Sequence, residues 1–173
     1  AGRSLKSFEK IFSGKQPVIR SMPNLPASIG QGMTVAVANK NVGAPQKKIA
    51  QKLLECAGLV EWLKDEKLMD AVTALSGSSP AYLFYLIEVL AEAGRKAGLD
   101  ESLARKLARQ TVIGSAALAA IETQTETAQL RKNVTSPGGT TEAALKILLD
   151  GKMQDIFDAA IQAAQKRGKE LSQ

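Results

Sequence analysis

Apolar and polar positions follow two rhythms along this chain. Met33-Thr34-Val35-Ala36-Val37-Ala38 sets β-branched residues at alternate places, the spacing of a strand. Pro17-Val18-Ile19-Arg20-Ser21 and Leu59-Val60-Glu61-Trp62-Leu63 read as two more short strands. Between the last two, Pro45 suits the first turn of a helix that runs to Ala57 and stops at Gly58. Strand, helix and strand at this spacing predict a βαβ unit with a right-handed crossover. Ahead of it, Ser4 caps a short helix through Phe12 that Gly14 ends. Met22-Pro23-Asn24-Leu25-Pro26 is a turn, because each proline pushes its predecessor out of the helical region.

After about Glu66 the strand rhythm stops and a spacing of three and four takes over. A helix over 67–75 is broken by Ser76-Gly77-Ser78-Ser79. Pro80 then opens a long helix with Ser79 as its candidate cap, carrying Leu83, Leu86, Ile87, Leu90 and Ala93 on one face. Gly98 stops it and Asp100 caps the next, which bears Leu103, Leu107, Ile113, Ala117, Leu118 and Ile121. Around Gly114-Ser115-Ala116-Ala117 another helix could approach closely. A short helix over 126–132 and two longer ones, 140–149 and 152–169, complete the pattern, the last two split by Asp150-Gly151. The fold class predicted is mainly α: an α/β remnant at 1–65 followed by an all-helical domain at 66–173. The apolar surface of 80–97 and 100–122 exceeds the need of one hairpin, which predicts dimerisation unless the remaining helices cover it.

Composition sharpens this picture. The 173 residues are 45% hydrophobic but only 4% aromatic, so alanine and leucine fill the apolar positions and favour helix, with a sizeable core expected. Net charge is +6, but the lysines and arginines are scattered and not interleaved with aromatics, as a nucleic-acid groove would require. Histidine is absent and Cys56 is the sole cysteine, which removes His-dependent triads, thiolate metal clusters and intrachain disulfides. Cys56 lies on an apolar helix face, where a buried structural thiol is expected. No unbroken apolar run is as long as a membrane span, and the first residues lack a signal-peptide pattern, so a cytoplasmic protein is expected.

Two segments stand out from the helical background. Ser76-Gly77-Ser78-Ser79-Pro80 and Asn133-Val134-Thr135-Ser136-Pro137-Gly138-Gly139-Thr140-Thr141 each set small hydroxyl residues and glycine before a helix start. Glycine lets a ligand approach backbone N–H groups, and the helix N-terminus adds partial positive charge. Such a loop suits a carboxylate or phosphate without lysine or arginine. The same residues also serve as ordinary caps and turns, so spacing alone leaves both readings open.

The run Gln129-Leu130-Arg131-Lys132-Asn133-Val134-Thr135-Ser136-Pro137-Gly138-Gly139-Thr140-Thr141-Glu142-Ala143-Ala144-Leu145 resembles the signature of pyrroline-5-carboxylate reductases. Asp70 to Tyr82 resembles a second marked segment of that family, and Val18 to Ala27 its nicotinamide-side loop, in the family's order and spacing. The resemblance implies reduction of the cyclic imine 1-pyrroline-5-carboxylate to proline, the last step of proline biosynthesis, with NADPH or NADH. It implies a Rossmann domain followed by a helical dimerisation domain like the C-terminal domain of 6-phosphogluconate dehydrogenase. A homodimer, in some members a decamer, and a substrate site shared between subunits are also implied. Ser136, Gly138, Gly139, Thr140 and Thr141 would bind the substrate, with the Thr141 hydroxyl near the ring nitrogen as the catalytic group. Met22, Pro23 and Asn24 would line the cofactor; no metal is implied.

Two departures accompany the resemblance. The glycine fingerprint for the cofactor pyrophosphate is missing, because Gly30 and Gly32 are followed by Val35 where a third glycine belongs. The expectation is a chain lacking most of its Rossmann part and inactive alone. Leu25 also stands where the family usually has threonine. A hydroxyacid-type dehydrogenase is a rival, but it needs a lysine in the long helix, which has none before Lys96. A non-catalytic dimerisation module is the other rival. Neither nucleic acid nor membrane is an expected partner.

Overall fold

A computed structural model describes residues 2–12 and 14–171. The elements are α1 (Leu5–Ile11), β1 (Ile19–Met22), β2 (Gly32–Ala38), α2 (Ala44–Glu55), β3 (Gly58–Trp62), α3 (Met69–Val72), α4 (Ser79–Lys96), α5 (Glu101–Ile121), α6 (Thr127–Asn133), α7 (Thr140–Leu148) and α8 (Lys152–Leu171). Short 3-10 turns cover Leu25–Ile29 and Glu66–Leu68. The chain groups into two compact units, residues 1–81 with 158–173, and residues 82–157.

In the first unit the strands lie in the order β1-β2-β3. β2 and β3 are parallel, with Gly32 opposite Gly58 and Ala36 opposite Trp62, and α2 connects them as the βαβ reading expects. β1 runs antiparallel to β2, Ile19 opposite Ala38. β2 is buried along most of its length because it is central and covered. Leu5, Val37 and Met69 form the core, with Val18, Met22, Leu63 and Val72 packed on it. Gly58 does not simply stop α2: it starts β3 with φ +135, and a Cβ there would lie 2.1 Å from the Gly32 carbonyl oxygen. Only glycine permits that strand approach.

A charged clamp ties three elements of this unit together. Glu66 Oε1 accepts from Arg20 Nη1 on β1 at 2.8 Å and from the Leu5 N–H at the start of α1 at 2.7 Å. The second bond satisfies a helix N–H that would otherwise lack a partner. Ser4 caps α1 as expected, its side chain accepting from the Ser7 N–H.

The expected break at 76–79 is not a break. Residues 73–77 continue the helical path as a π-turn in which the Ser78 N–H reaches back to the Thr73 carbonyl at 2.9 Å. Ser79 is not a cap either: it lies inside α4 and donates its hydroxyl to the Leu75 carbonyl. With the break bridged, Glu66–Lys96 forms one helical run, and one window of it has a mean hydropathy of 1.2. By length and composition alone this run would suit a membrane span, although no unbroken apolar stretch signalled one in the sequence.

In the second unit Asp100 caps α5 through the Ser102 and Leu103 N–H groups. Gly94 on α4 sits against Ala104 on α5, a Cβ there meeting the alanine Cβ at 3.4 Å. The close helix approach is therefore at Gly94, whereas Gly114, in the predicted small-residue patch, faces open space. The buried hydrophobic residues on these helices are the alanines Ala104 and Ala108, while Leu83, Phe84, Leu103, Leu107, Ile113, Leu118 and Ile121 stay exposed. The sizeable core expected from composition does not form among the described residues. The apolar faces exist, but the described residues of this unit leave them exposed.

Candidate functional site

Two loops carry the candidate chemistry, one in each unit. In the first unit β1 leads through Met22 and Pro23 to Asn24. The Asn24 side chain spends both ends on the protein: Oδ1 accepts from the Met33 N–H at 2.9 Å, and Nδ2 donates to Ser76 Oγ at 3.4 Å. Gly77 packs so closely that a Cβ would lie 2.7 Å from the Met22 methyl. The π-turn thus sets Ser76 and Gly77 against the Met22–Asn24 segment, bringing together two motifs about fifty residues apart in sequence. Pro23 remains exposed, and so does Leu25, at 61%. This rim is apolar, as the face of a flat aromatic ring would need, and it holds no phosphate cradle.

In the second unit the loop 134–139 joins α6 to α7. Thr135 is consumed locally, its hydroxyl donating to the Arg131 carbonyl at 2.7 Å. Pro137 and Gly138 form a turn closed by the Gly139 N–H on the Ser136 carbonyl at 3.0 Å, with Gly138 at φ +70. Gly139 is tight, since a Cβ would meet that same Ser136 oxygen at 3.0 Å. Its extended φ −81, ψ 172 starts α7, with Thr140 and Thr141 in the first turn. Unlike Thr135, the hydroxyls of Ser136, Thr140 and Thr141 have no hydrogen-bond partner among the described residues. Ser136 and Thr140 are exposed and Thr141 is half-buried. Three hydroxyls without a partner among the described residues therefore cluster at the start of a nine-residue helix.

One loop amide is already taken. The Gly138 N–H donates to Glu142 Oε2 at 2.7 Å, and the other oxygen of that carboxylate lies 3.9 Å from Lys146 Nζ. Behind it, Arg131, Lys132, Thr135, Glu142, Leu145, Lys146 and Leu149 line a groove of about 440 Å³. Three cations against one carboxylate make this groove electropositive.

Elsewhere in the unit, acidic and basic side chains pair within single helices, Glu92 with Arg95 on α4 and Glu101 with Arg105 on α5. Glu88, Glu92, Arg95, Glu101, Arg105 and Arg109 from α4 and α5 line a groove of about 530 Å³. The Arg95 guanidinium, paired to both Glu92 oxygens, holds that carboxyl down at about 2. Lys152 bonds Asp150 through side chain and backbone and lowers its pKa as well. Both groups are exposed and help hold helix ends and faces. No group of His, Cys, Asp or Glu that could hold a metal exists among the described residues.

Comparison with known proteins decides the family. Residues 66–171 match the family model for pyrroline-5-carboxylate reductase dimerisation. The chain belongs to the pyrroline-5-carboxylate reductase family. The Pseudomonas aeruginosa reductase is 42% identical over 173 residues, 100% of this chain and 63% of that protein. Reductase 1 of Bacillus subtilis is 39% identical, covering 100% of this chain and 58% of its own length. The solved structure of the Coxiella burnetii reductase superposes with a TM-score of 0.94 at 42% identity, covering 100% of this chain and 64% of that one. A Plasmodium falciparum pyrroline carboxylate reductase with NADP bound gives 0.85 at 31% identity, over 99% and 65%. The chain therefore spans a little under two thirds of the relatives it matches.

Sequence reasoning chose both loops but missed Glu142, the π-turn and the Arg20–Glu66 clamp. Glu142 carried a readable signal, an acidic residue in the first turn of a helix that starts after two glycines. Cys56, expected to be buried, is exposed, its thiol over the Lys52 carbonyl at 3.4 Å. The face of α2 that carries Ile49 and Leu53 is uncovered in this chain.

Proposed function

We propose that this chain is the substrate-binding and dimer-forming part of an NAD(P)H-dependent pyrroline-5-carboxylate reductase, which reduces the cyclic imine to L-proline. Residues 1–65 are then the end of the dinucleotide-binding domain and residues 66–173 the helical domain. The matched range 66–171 supports that division. The observation that carries the reading is the loop at the start of α7, with Ser136, Thr140 and Thr141 unpartnered beside Gly138 and Gly139.

The substrate carboxylate sits on this loop, held by backbone N–H groups and the Ser136 and Thr140 hydroxyls. Thr141 directs its hydroxyl to the ring nitrogen. When bound, the dihydronicotinamide supplies the hydride to the imine carbon. Thr141 can hydrogen-bond the neutral imine or hold the forming amine, but a hydroxyl is a weak acid. The proton therefore comes from solvent or arrives on a protonated imine. Orientation supplies most of the acceleration that the protein contributes. Met22 and Pro23 offer the nicotinamide side an apolar rim. Asn24, whose side chain is fully engaged, fixes the shape of that rim. The pyrophosphate fingerprint is absent from these residues, and nothing in them distinguishes NADPH from NADH.

The exposed apolar faces of α4 and α5 belong to a homodimer in this reading, with larger assemblies such as a decamer built on it. A cytoplasmic setting accords with the exposed free thiol of Cys56. Nucleic acid is not a partner; micromolar, salt-sensitive DNA binding would contradict that, whatever the pI of about 9.5 suggests.

The test is imine-dependent oxidation of NADPH, on this chain alone and with an upstream dinucleotide-binding domain restored. Activity only in the restored protein is expected. Silence in both, with folded protein, would leave a dimerisation module without the chemistry.

A further inference from the structure

The anion cradle at the start of α7 already contains a carboxylate. Glu142, the third residue of α7, turns back over its own helix start and takes the Gly138 N–H at 2.7 Å. That amide belongs to the same turn as Gly139 and stands beside the idle hydroxyls of Ser136 and Thr140. An incoming carboxylate meets an amide already engaged and a negative charge within the same helical turn. Like charges that close together oppose each other, and the bond from an N–H to a carboxylate is stronger than one to a neutral acceptor. The Glu142 side chain also has somewhere else to go. Lys146 Nζ already forms a long ion pair with its Oε1 at 3.9 Å that can tighten, and Arg131 and Lys132 line the groove behind it.

We propose that Glu142 is an internal stand-in for the substrate carboxylate. It holds the 136–139 turn in its binding shape while the site is empty. It then yields the Gly138 N–H to the substrate and swings back onto Lys146 and the basic groove. Glu142 is thus a positioning and specificity residue: an imine without a strong anion does not displace it. The proposal rests on the reading that this loop is the carboxylate site.

The experiment is steady-state kinetics of the reductase carrying its upstream domain, with 1-pyrroline-5-carboxylate varied at low salt. Glu142→Gln keeps an acceptor for Gly138 but removes the charge, so KM for the imine carboxylate falls by about fivefold, the change appearing in KM more than in kcat. Lys146→Met takes away the fallback partner and raises KM by about twofold. Addition of 0.5 M salt shrinks the Lys146 effect by screening it. A KM for Glu142→Gln that is unchanged or raised overturns the proposal, because a residue that merely scaffolds the turn behaves that way. If that variant fails to fold, an unchanged or lowered KM in Lys146→Met overturns it instead. Ser136→Ala tests the underlying reading separately. Should its KM for the carboxylated imine not rise, the loop is not the carboxylate site and that reading fails, independently of Glu142.

Discussion

Replacing Glu66 with alanine should destabilise the first unit by about 2–4 kcal/mol. Glu66 Oε1 accepts two hydrogen bonds, from Arg20 Nη1 at 2.8 Å and from the Leu5 N–H at 2.7 Å. The Arg20 side chain is only 10% exposed and the Glu66 side chain 26%. Taking away the carboxylate leaves a nearly buried guanidinium without its anion and the first turn of α1 without an acceptor. One-sided removal of a buried pair costs ~3–5 kcal/mol. The quarter exposure of Glu66 admits some water, which brings the figure down to the stated range. Glu66→Gln keeps an oxygen for both donors and should lose about half as much. Arg20→Met removes the charge together with its desolvation, and the freed carboxylate reaches solvent, so the cost should stay near ~1 kcal/mol or less. Urea unfolding followed by the fluorescence of Trp62 suits the test, because it is the sole tryptophan and lies on β3 of the same unit. Thermal midpoints should drop by roughly 2–4 °C per kcal/mol for a chain of this size. The reasoning fails if Arg20→Met costs as much as Glu66→Ala, or if Glu66→Ala costs less than about 0.5 kcal/mol.

Thr141→Ala in the intact reductase should lower turnover by more than about tenfold, at least ~1.4 kcal/mol of transition-state stabilisation. A loss of about 1 kcal/mol of stability with unchanged turnover would instead make Thr141 a helix-start residue and nothing more. Arg95→Gln should return the Glu92 carboxyl from about 2 towards the ordinary glutamate value of 4.5, read by carbon-13 NMR titration. Because that pKa is depressed in the folded chain, the stabilisation is present above about 4.5 and disappears as pH falls through about 2, so an unshifted titration would deny the pairing. Cys56 should react with a thiol reagent in the native protein nearly as fast as a free thiol; protection beyond about tenfold would mean that the α2 face is covered.

How much of this was legible depended on the range of the interactions involved. The βαβ unit could be read because alternation in Met33–Ala38 and the proline at 45 are local signals, and β2 and β3 pair as that reading requires. The caps Ser4 and Asp100 were legible for the same reason. The π-turn was not. Ser76, Gly77 and Ser79 are breakers by propensity, but one bond from Ser78 to Thr73 absorbs the extra residue, and the fit against Met22 and Asn24 that selects it comes from fifty residues away. The exposure of Cys56 was not legible, because periodicity reveals an apolar face and not whether anything lies against it. The hydroxyl loop was found from composition, whereas the role of Glu142 needed a side-chain direction that spacing cannot give.

That limit of periodicity bears on how the helical unit stays folded. Among the described residues its buried hydrophobic side chains are alanines, while leucines and isoleucines on α4 and α5 face solvent. Fully burying one such side chain is worth ~1.5–3 kcal/mol, so covering four or five of them yields on the order of 10 kcal/mol. A whole domain has a net stability of only about 5–15 kcal/mol. A partner chain would therefore supply most of what holds this unit together, and the 136–141 loop, carried between α6 and α7, would inherit its order from that partner. Ile113→Asp puts a charge on this face, where Ile113 is 52% exposed among the described residues. Sedimentation velocity should then show the monomer at micromolar concentration, and imine reduction should decline in step with the fraction dissociated. A variant that sediments as a monomer yet keeps full activity would refute the coupling. One that stays dimeric would place the interface on another face.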